Sequence, residues 1–199
     1  MKNTVLFALL AMSAMTANAN GLSIANSTAI TFSGYDGQPA VYTGARSSGF
    51  TGEVWADVAG TLEAVYLGQE SANVNRFRFQ LGNAIDESDS IGTSIFRTTG
   101  AGLIDFRFRD LTTNTSFING SSLSFAILNG VLNPRRGATN YGPFDFLVGL
   151  NDNGSGDGDF DDMVIGLRYT PASVPVPAAL PLFASALGLL GFGAARRRL

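Results

Sequence analysis

The residues best suited to chemistry lie in one short stretch, Asn151 to Asp162, which reads NDNGSGDGDFDD. Asp152, Asp157, Asp159, Asp161 and Asp162 crowd five carboxylates together there. Carboxylates at that density repel one another unless a cation neutralises them. Ca²⁺ does this by taking about six to eight oxygens from carboxylates, amide carbonyls and backbone. Gly154, Gly156 and Gly158 let the backbone turn tightly enough to aim its carbonyls inward. With Asn151 as an amide donor the set is all oxygen, which excludes the thiolate and imidazole metals. If the loop is extended, Asp157, Asp159 and Asp161 share one side, and Phe160 and Asp162 the other. The count matches a helix-flanked EF-hand only in part. Asn151 stands where the first acid belongs, Asp162 stands where a glutamate belongs, and strands flank the loop. The expectation is a structural Ca²⁺ held by Asn151, Asp152, Asp157, Asp159, Asp161 and Asp162. The alternative is a solvated acidic turn.

Little else in the chain offers reaction chemistry. It has no histidine and no cysteine, which removes the commonest general base, the commonest zinc ligand and every thiolate. Serines are plentiful but lack an imidazole to activate them. Glu53, Glu63 and Glu70 are the candidates for a glycosidase carboxylate pair, but no spacing couples them, and Glu70 reads as a strand-end charge. No catalytic residue is assigned, and the chain is expected not to be an enzyme. Trp55 is the only tryptophan; it either packs in the core or offers a stacking face to a sugar.

Both ends of the chain read as addresses. Lys2 precedes an apolar run, Val5 to Met12, and Ala17-Asn18-Ala19 is a small-x-small cleavage site. That is the pattern of a secretory signal peptide over residues 1–19, removed by signal peptidase. At the other end, Val174-Pro175-Val176-Pro177 is a stiff segment, Ala178 to Ala195 is an uncharged apolar run, and Arg196-Arg197-Arg198 is a basic stop. A run of that length spans a thin bilayer as a helix, and its arginines stay on the cytoplasmic side. The ends hold four of the 13 basic residues and none of the 16 acidic ones, so residues 20–173 carry nine arginines, 16 acids and a formal charge of −7. That balance argues against a nucleic-acid partner.

The tail resembles the PEP-CTERM sorting signal of Gram-negative bacteria, in its Val-Pro-x-Pro-Ala-Ala variant. Val174, Pro175, Pro177, Ala178 and Ala179 carry the likeness, followed by Leu180 to Ser185 and the arginines; Val176 replaces the glutamate of the namesake motif. The resemblance implies recognition by an exosortase, a membrane protease-transpeptidase, with cleavage near the proline motif. It implies transient anchoring in the inner membrane, then a place at the cell surface or in the extracellular matrix, alongside exopolysaccharide and biofilm production. Leu150 to Val164 also resembles an Asp-rich loop of secreted bacterial domains of unknown function, carried by Asp152, Asp157, Asp159, Phe160, Asp161, Asp162, Met163 and Val164. Tyr66-Leu67-Gly68-Gln69-Glu70 is similar to a segment that accompanies such loops in PEP-CTERM proteins. These resemblances imply a calcium-stabilised surface domain with a structural or adhesive role.

Residues 20–173 suit one domain. Glycine, serine, threonine and asparagine punctuate them closely, and no long stretch has helical period, which favours an all-β fold. Val74 to Leu81 sets Phe77, Phe79 and Leu81 against Arg76, Arg78 and Gln80. Ile104 to Arg109 sets Ile104, Phe106 and Phe108 against Asp105, Arg107 and Arg109. Such alternation marks strands with one buried and one wet face. The arginines form either a solvated strand face or one that meets an anion or carbohydrate. Further strands are expected over 24–32, 53–58, 61–67, 124–128, 144–150 and 163–169, with Trp55 and Asp57 opposite Val54 and Val58, and Asn129-Gly130 as a turn. The expected architecture is a single β-sandwich, jelly-roll-like, between the signal peptide and the transmembrane sorting helix. A carbohydrate-binding module using Trp55 and the arginine strands is the alternative function.

Overall fold

The computed structural model describes residues 21–32, 48–80, 82–121, 124–136, 138–152 and 160–173. The signal peptide, the sorting segment 174–199, Leu81 and loop residues 153–159 lie outside the described residues. Within them the protein is all-β, with no helix, so none is long and apolar enough to cross a membrane.

One sheet has eight strands, the other four. The large sheet runs β1 (Leu22–Thr31), β2 (Ser48–Ala56), β10 (Phe125–Leu132), β13 (Phe144–Leu150), β14 (Met163–Pro171), β3 (Gly60–Gly68) and β6 (Ser94–Thr99), and the short β7 (Gly102–Leu103) pairs with β2. The small sheet runs β5 (Ala84–Asp86), β4 (Asn75–Phe79), β8 (Phe106–Asp110) and β9 (Thr115–Ile118). A separate ribbon joins β11 (Arg135–Arg136) to β12 (Thr139–Asn140). Every pairing is antiparallel.

The two sheets share one core. Phe77, Phe79, Ile85, Phe106, Phe108 and Phe117 from the small sheet meet Val54, Leu62, Phe125, Ile127, Val148 and Ile165 from the large one. The alternation of β4 and β8 therefore does what the sequence predicts: its phenylalanines turn inward. Central strands of the large sheet are buried on both faces, which is why they read as unbroken apolar runs such as Phe125-Ala126-Ile127-Leu128. Their other face forms a second cluster with Val65, Leu67, Ala126, Leu128, Leu147 and Val164, against which Phe160 and Tyr141 pack.

Single-residue bulges decide which side chains reach which cluster. In β1 the register shifts by one between Ala25 and Thr28, where Asn26 takes a left-handed conformation (φ 49°). A one-residue shift exchanges the two faces of a strand. Leu22 and Ile24 accordingly join the inner core, and Ile30 and Phe32 the outer cluster. Gly52 lies opposite at φ 152°, where an added Cβ would meet the Ala25 carbonyl oxygen at 2.8 Å.

Two local expectations need correction. Asn129-Gly130 is not a turn: β10 runs through it to Leu132, and the pair falls at a register shift against β13. Across the shift β10 takes three steps to the two of β13, and it absorbs the extra residue as a bulge. Val58 does not share a buried face with Val54, because β2 ends at Ala56 and Val58 is 37 % exposed.

Asn119 ties the layers together. It is buried, its Nδ2 donates to the carbonyls of Val54 (2.9 Å) and Ile104 (2.7 Å), and its Oδ1 accepts from the Val54 N–H (3.0 Å). The side chain thus acts as a missing peptide between β2 and the entry to β8. Asn119→Ala leaves the buried Val54 N–H without its acceptor, worth about 1–3 kcal/mol when unpaired, while the Val54 and Ile104 carbonyls keep the N–H groups of Ile104 and Phe106. It is expected to cost about 1–3 kcal/mol in a denaturant-unfolding experiment, above an exposed Ser121→Ala control.

Candidate functional site

The acidic loop closes the β13–β14 hairpin at the end next to β3 and β4. The ladder ends at Leu150↔Met163. Beyond it, the Asp162 N–H donates to the Leu150 carbonyl (3.1 Å) and the Asp152 N–H to Asp162 Oδ2 (2.7 Å). Asn151 is buried and its N–H donates to the Ser124 carbonyl (2.8 Å). Asp161 is also buried, and its carbonyl accepts from the Glu70 N–H (3.2 Å). The structure therefore brings Asn151, Asp152, Asp161 and Asp162 together at the neck of the loop. Asp157 and Asp159 lie outside the described residues, as do Val174, Pro175, Val176, Pro177, Ala178, Arg196, Arg197 and Arg198. Phe160 takes a left-handed conformation (φ 63°), and its ring meets Phe32 edge-on at 5.4 Å. Burying that ring pins the far side of the neck to the outer cluster.

Asp152 reaches a polar cluster that sequence reasoning missed. Its Oδ2 accepts from Ser71 Oγ (2.7 Å) and Asn75 Nδ2 (2.6 Å), and its Oδ1 from Asn73 Nδ2 (3.1 Å). Asn73 also donates to Asp110 Oδ2 (3.3 Å). Asp110 is fully buried and caps its own turn, accepting from the N–H groups of Thr112 and Thr113 and from the Thr113 hydroxyl. Glu87 completes the group, with Oε2 accepting from the Asn75 N–H (2.7 Å). Asn75 and Asp110 face each other as the last rung of the β4–β8 ladder.

A signal for this cluster was present in the alternation. Asn75 has the parity of Phe77 and Phe79, and Asp110 that of Phe106 and Phe108. A polar residue at a core position is the informative exception to inside-out patterning.

The electrostatics are those of an anionic site, with no cationic side chain acting on Glu87 among the described residues. Burial raises the Glu87 carboxyl above its ordinary value, opposed by the Asn75 N–H; the charges of Asp152, Asp110 and Asp86 raise it further. Asn75 is fully buried, and its Oδ1 has no hydrogen-bond partner among the described residues. An amide oxygen is the kind of donor Ca²⁺ takes. All the oxygens here are hard, so the donor chemistry fits that ion. The Asp152 carboxylate, however, already accepts from three side chains. Among the described residues no three acidic groups are arranged as a ready metal cage.

The remaining candidates lie apart. Trp55 is half-buried on the outer face of the large sheet, its indole N–H donating to Glu53 Oε2 (2.9 Å). It borders a shallow depression of about 510 Å³ with Ser23, Asp57 and Ala101. Arg76, Arg78, Arg107 and Arg109 lie on the outer face of the small sheet, so they share no site with Trp55. A larger groove of about 820 Å³ runs between β1 and the β13–β14 ends, but its charged groups are engaged: Arg168 with Glu63 (2.6 Å), Asp145 with the Tyr169 N–H (2.7 Å).

No family model, no curated protein and no solved structure matches this chain.

Glu87 gives a signed test. Its carboxyl holds a proton more tightly in the fold than in the unfolded chain. It therefore favours folding below the ordinary carboxyl value, and that contribution is lost as pH rises through the raised folded value. Glu87→Gln keeps an oxygen acceptor for the Asn75 N–H and removes the charge. The variant is expected to melt higher than the wild type at pH 7, with the gap closing as pH falls below about 4, as read by melting curves across that range.

Proposed function

We propose that this chain is an exported surface or matrix protein, sorted by an exosortase and released from a transient inner-membrane anchor. Its jelly-roll-like β-domain is stabilised by Ca²⁺ at the 151–162 loop and has a structural or adhesive role in an exopolysaccharide or biofilm layer. It is a non-catalytic role. The observation that supports the calcium part is the buried Asn75, which donates to Asp152 and Glu87 and lies opposite Asp110, with an amide oxygen that has no hydrogen-bond partner among the described residues, at the neck where Asp162 also bonds Asp152. A cation there offsets like-charge repulsion and fixes the loop against β14. The sorting part is supported by the order of leader, proline motif, apolar run and arginine stop.

A second reading, a carbohydrate-binding module, is favoured by one observation: the half-exposed Trp55 ring beside the Ser23–Asp57 hydrogen bond (2.6 Å) in an open depression. Loss of polysaccharide pull-down on Trp55→Ala would favour it.

Calorimetric titration with Ca²⁺, run with parallel melting curves, tests the calcium part. Binding with a raised melting temperature is expected, and chelation should reverse it. Asp159→Ala combined with Asp161→Ala is expected to abolish the response; identical melting with and without excess Ca²⁺ sinks the reading. For sorting, the protein released at the cell surface is expected to lack Ala178 to Leu199. Mass spectrometry finding a released chain that still ends in the arginines contradicts this.

A further inference from the structure

Four of the nine arginines of residues 20–173 stand on one face of the smallest sheet large enough to pack a core. On β4 and β8 they are cross-strand neighbours: Arg76 opposite Arg109, and Arg78 opposite Arg107. The flanking strands complete two rows. One reads Asp86, Arg76, Arg109, Ser116; the other reads Ala84, Arg78, Arg107, Ile118. Like charges directly opposite one another weaken a sheet, so the fold gains nothing from this choice. Only Arg76 is ion-paired, to Asp86 at 2.5 Å. Arg78 donates to the carbonyls of Phe79 and Gln80, and Arg109 to Asn114 Oδ1, all neutral acceptors. Nε of Arg107 and Nε of Arg109 are buried with no acceptor. Asp105, exposed at the rim beyond Arg107, is the other acid that strand alternation places on this face. A protein that is acidic elsewhere thus keeps three arginines here without a carboxylate partner among the described residues.

We propose that this face binds a polymer of carboxylated sugars through Arg78, Arg107 and Arg109. The guanidinium fork matches a carboxylate with two parallel hydrogen bonds. Opposed arginines lie about 5 Å apart across the strands, and successive ones about 7 Å apart along a strand. A small anion meets one fork, whereas an extended chain with repeated carboxylates meets several. The charge of −7 over residues 20–173 disfavours a densely charged nucleic acid. Sugars interpose neutral hydroxyls between charges, and Ser116 and the 40 %-exposed Ile118 offer a hydroxyl and an apolar contact beside the arginines. The inference rests on the matrix reading above only for where such a polymer is met.

Surface-immobilised polygalacturonate tests it, with its fully methyl-esterified form as the uncharged control. The full-length protein is used in detergent, with EDTA present so that no calcium bridge contributes. Retention on the acid form alone is expected, weakening with salt. Arg107→Gln with Arg109→Gln should weaken it by about tenfold or more. Removing a like-charged neighbour should leave that variant melting no lower than the wild type, which separates lost binding from unfolding, and Trp55→Ala should bind normally. Three results would each overturn the proposal: equal retention on the methyl ester, a change of less than about twofold in the double variant, or tighter binding to single-stranded DNA or phosphatidylglycerol vesicles. None of them bears on the calcium reading, because EDTA is present throughout.

Discussion

The aromatic layer between the two sheets is the interaction on which the rest depends. With no disulfide available, the small sheet is held to the large one mainly by Phe77, Phe106, Phe108 and Phe125. Their rings lie 5.2–6.3 Å apart in tilted and edge-to-face pairs. Burying one such ring stabilises the fold by about 1.5–3 kcal/mol, and edge-to-face geometry adds about 0.5–1.5 kcal/mol per pair. No surface ion pair compares: Arg76–Asp86 is over a third exposed on both sides and belongs to a class worth about 0–1 kcal/mol. Asn119 can satisfy backbone groups of both layers only because the rings have fixed their spacing.

That layer also explains how much of the fold was legible. Strands that contribute two or more inward residues showed their period: β4 through Phe77 and Phe79, β8 through Phe106 and Phe108, β13 and β14 through continuous apolar runs. The edge strands β5, β6 and β9 contribute one buried apolar side chain each, Ile85, Ile95 and Phe117. A single point carries no period, so they were invisible. The bulges in β1 and β10 were hidden for a different reason. Asn26 and the Asn129-Gly130 pair have turn-like residue types, and only the partner strand shows that the chain continues. Propensity names a local conformation, whereas pairing decides whether it ends a strand or kinks one.

The acidic site was half legible. Its carboxylates are contiguous in sequence, so Asn151 to Asp162 announces itself. Its floor is assembled from three other places, Ser71 to Asn75, Glu87 and Asp110, which only the β4–β8 register and the β4–β5 connection bring together. The Tyr66 to Glu70 segment, singled out by resemblance alone, meets the loop directly through the Glu70 N–H and the Asp161 carbonyl. Trp55 and the arginines were plausible partners on paper. They are separated by the thickness of the sandwich, because strand parity places them on outer faces of different sheets.

The same ladder carries both charged features. Asn75↔Asp110 ends the β4–β8 pairing on its inner side, and Arg76↔Arg109 is the next rung, facing out. One register therefore sets both features, because a strand slip would exchange the two faces. Repulsion among Glu87, Asp110 and Asp152 pushes that end of the ladder apart; three donors to Asp152 and four to Asp110 hold it closed. The outer arginines repel across the same two strands. Like charges thus oppose the pairing of β4 and β8 on both faces, and what outweighs them is the stack of phenylalanines between. One pair of strands thus carries carboxylates at its inner end and arginines across its outer face, and strand parity keeps the two sets of charge on opposite sides of the aromatic layer.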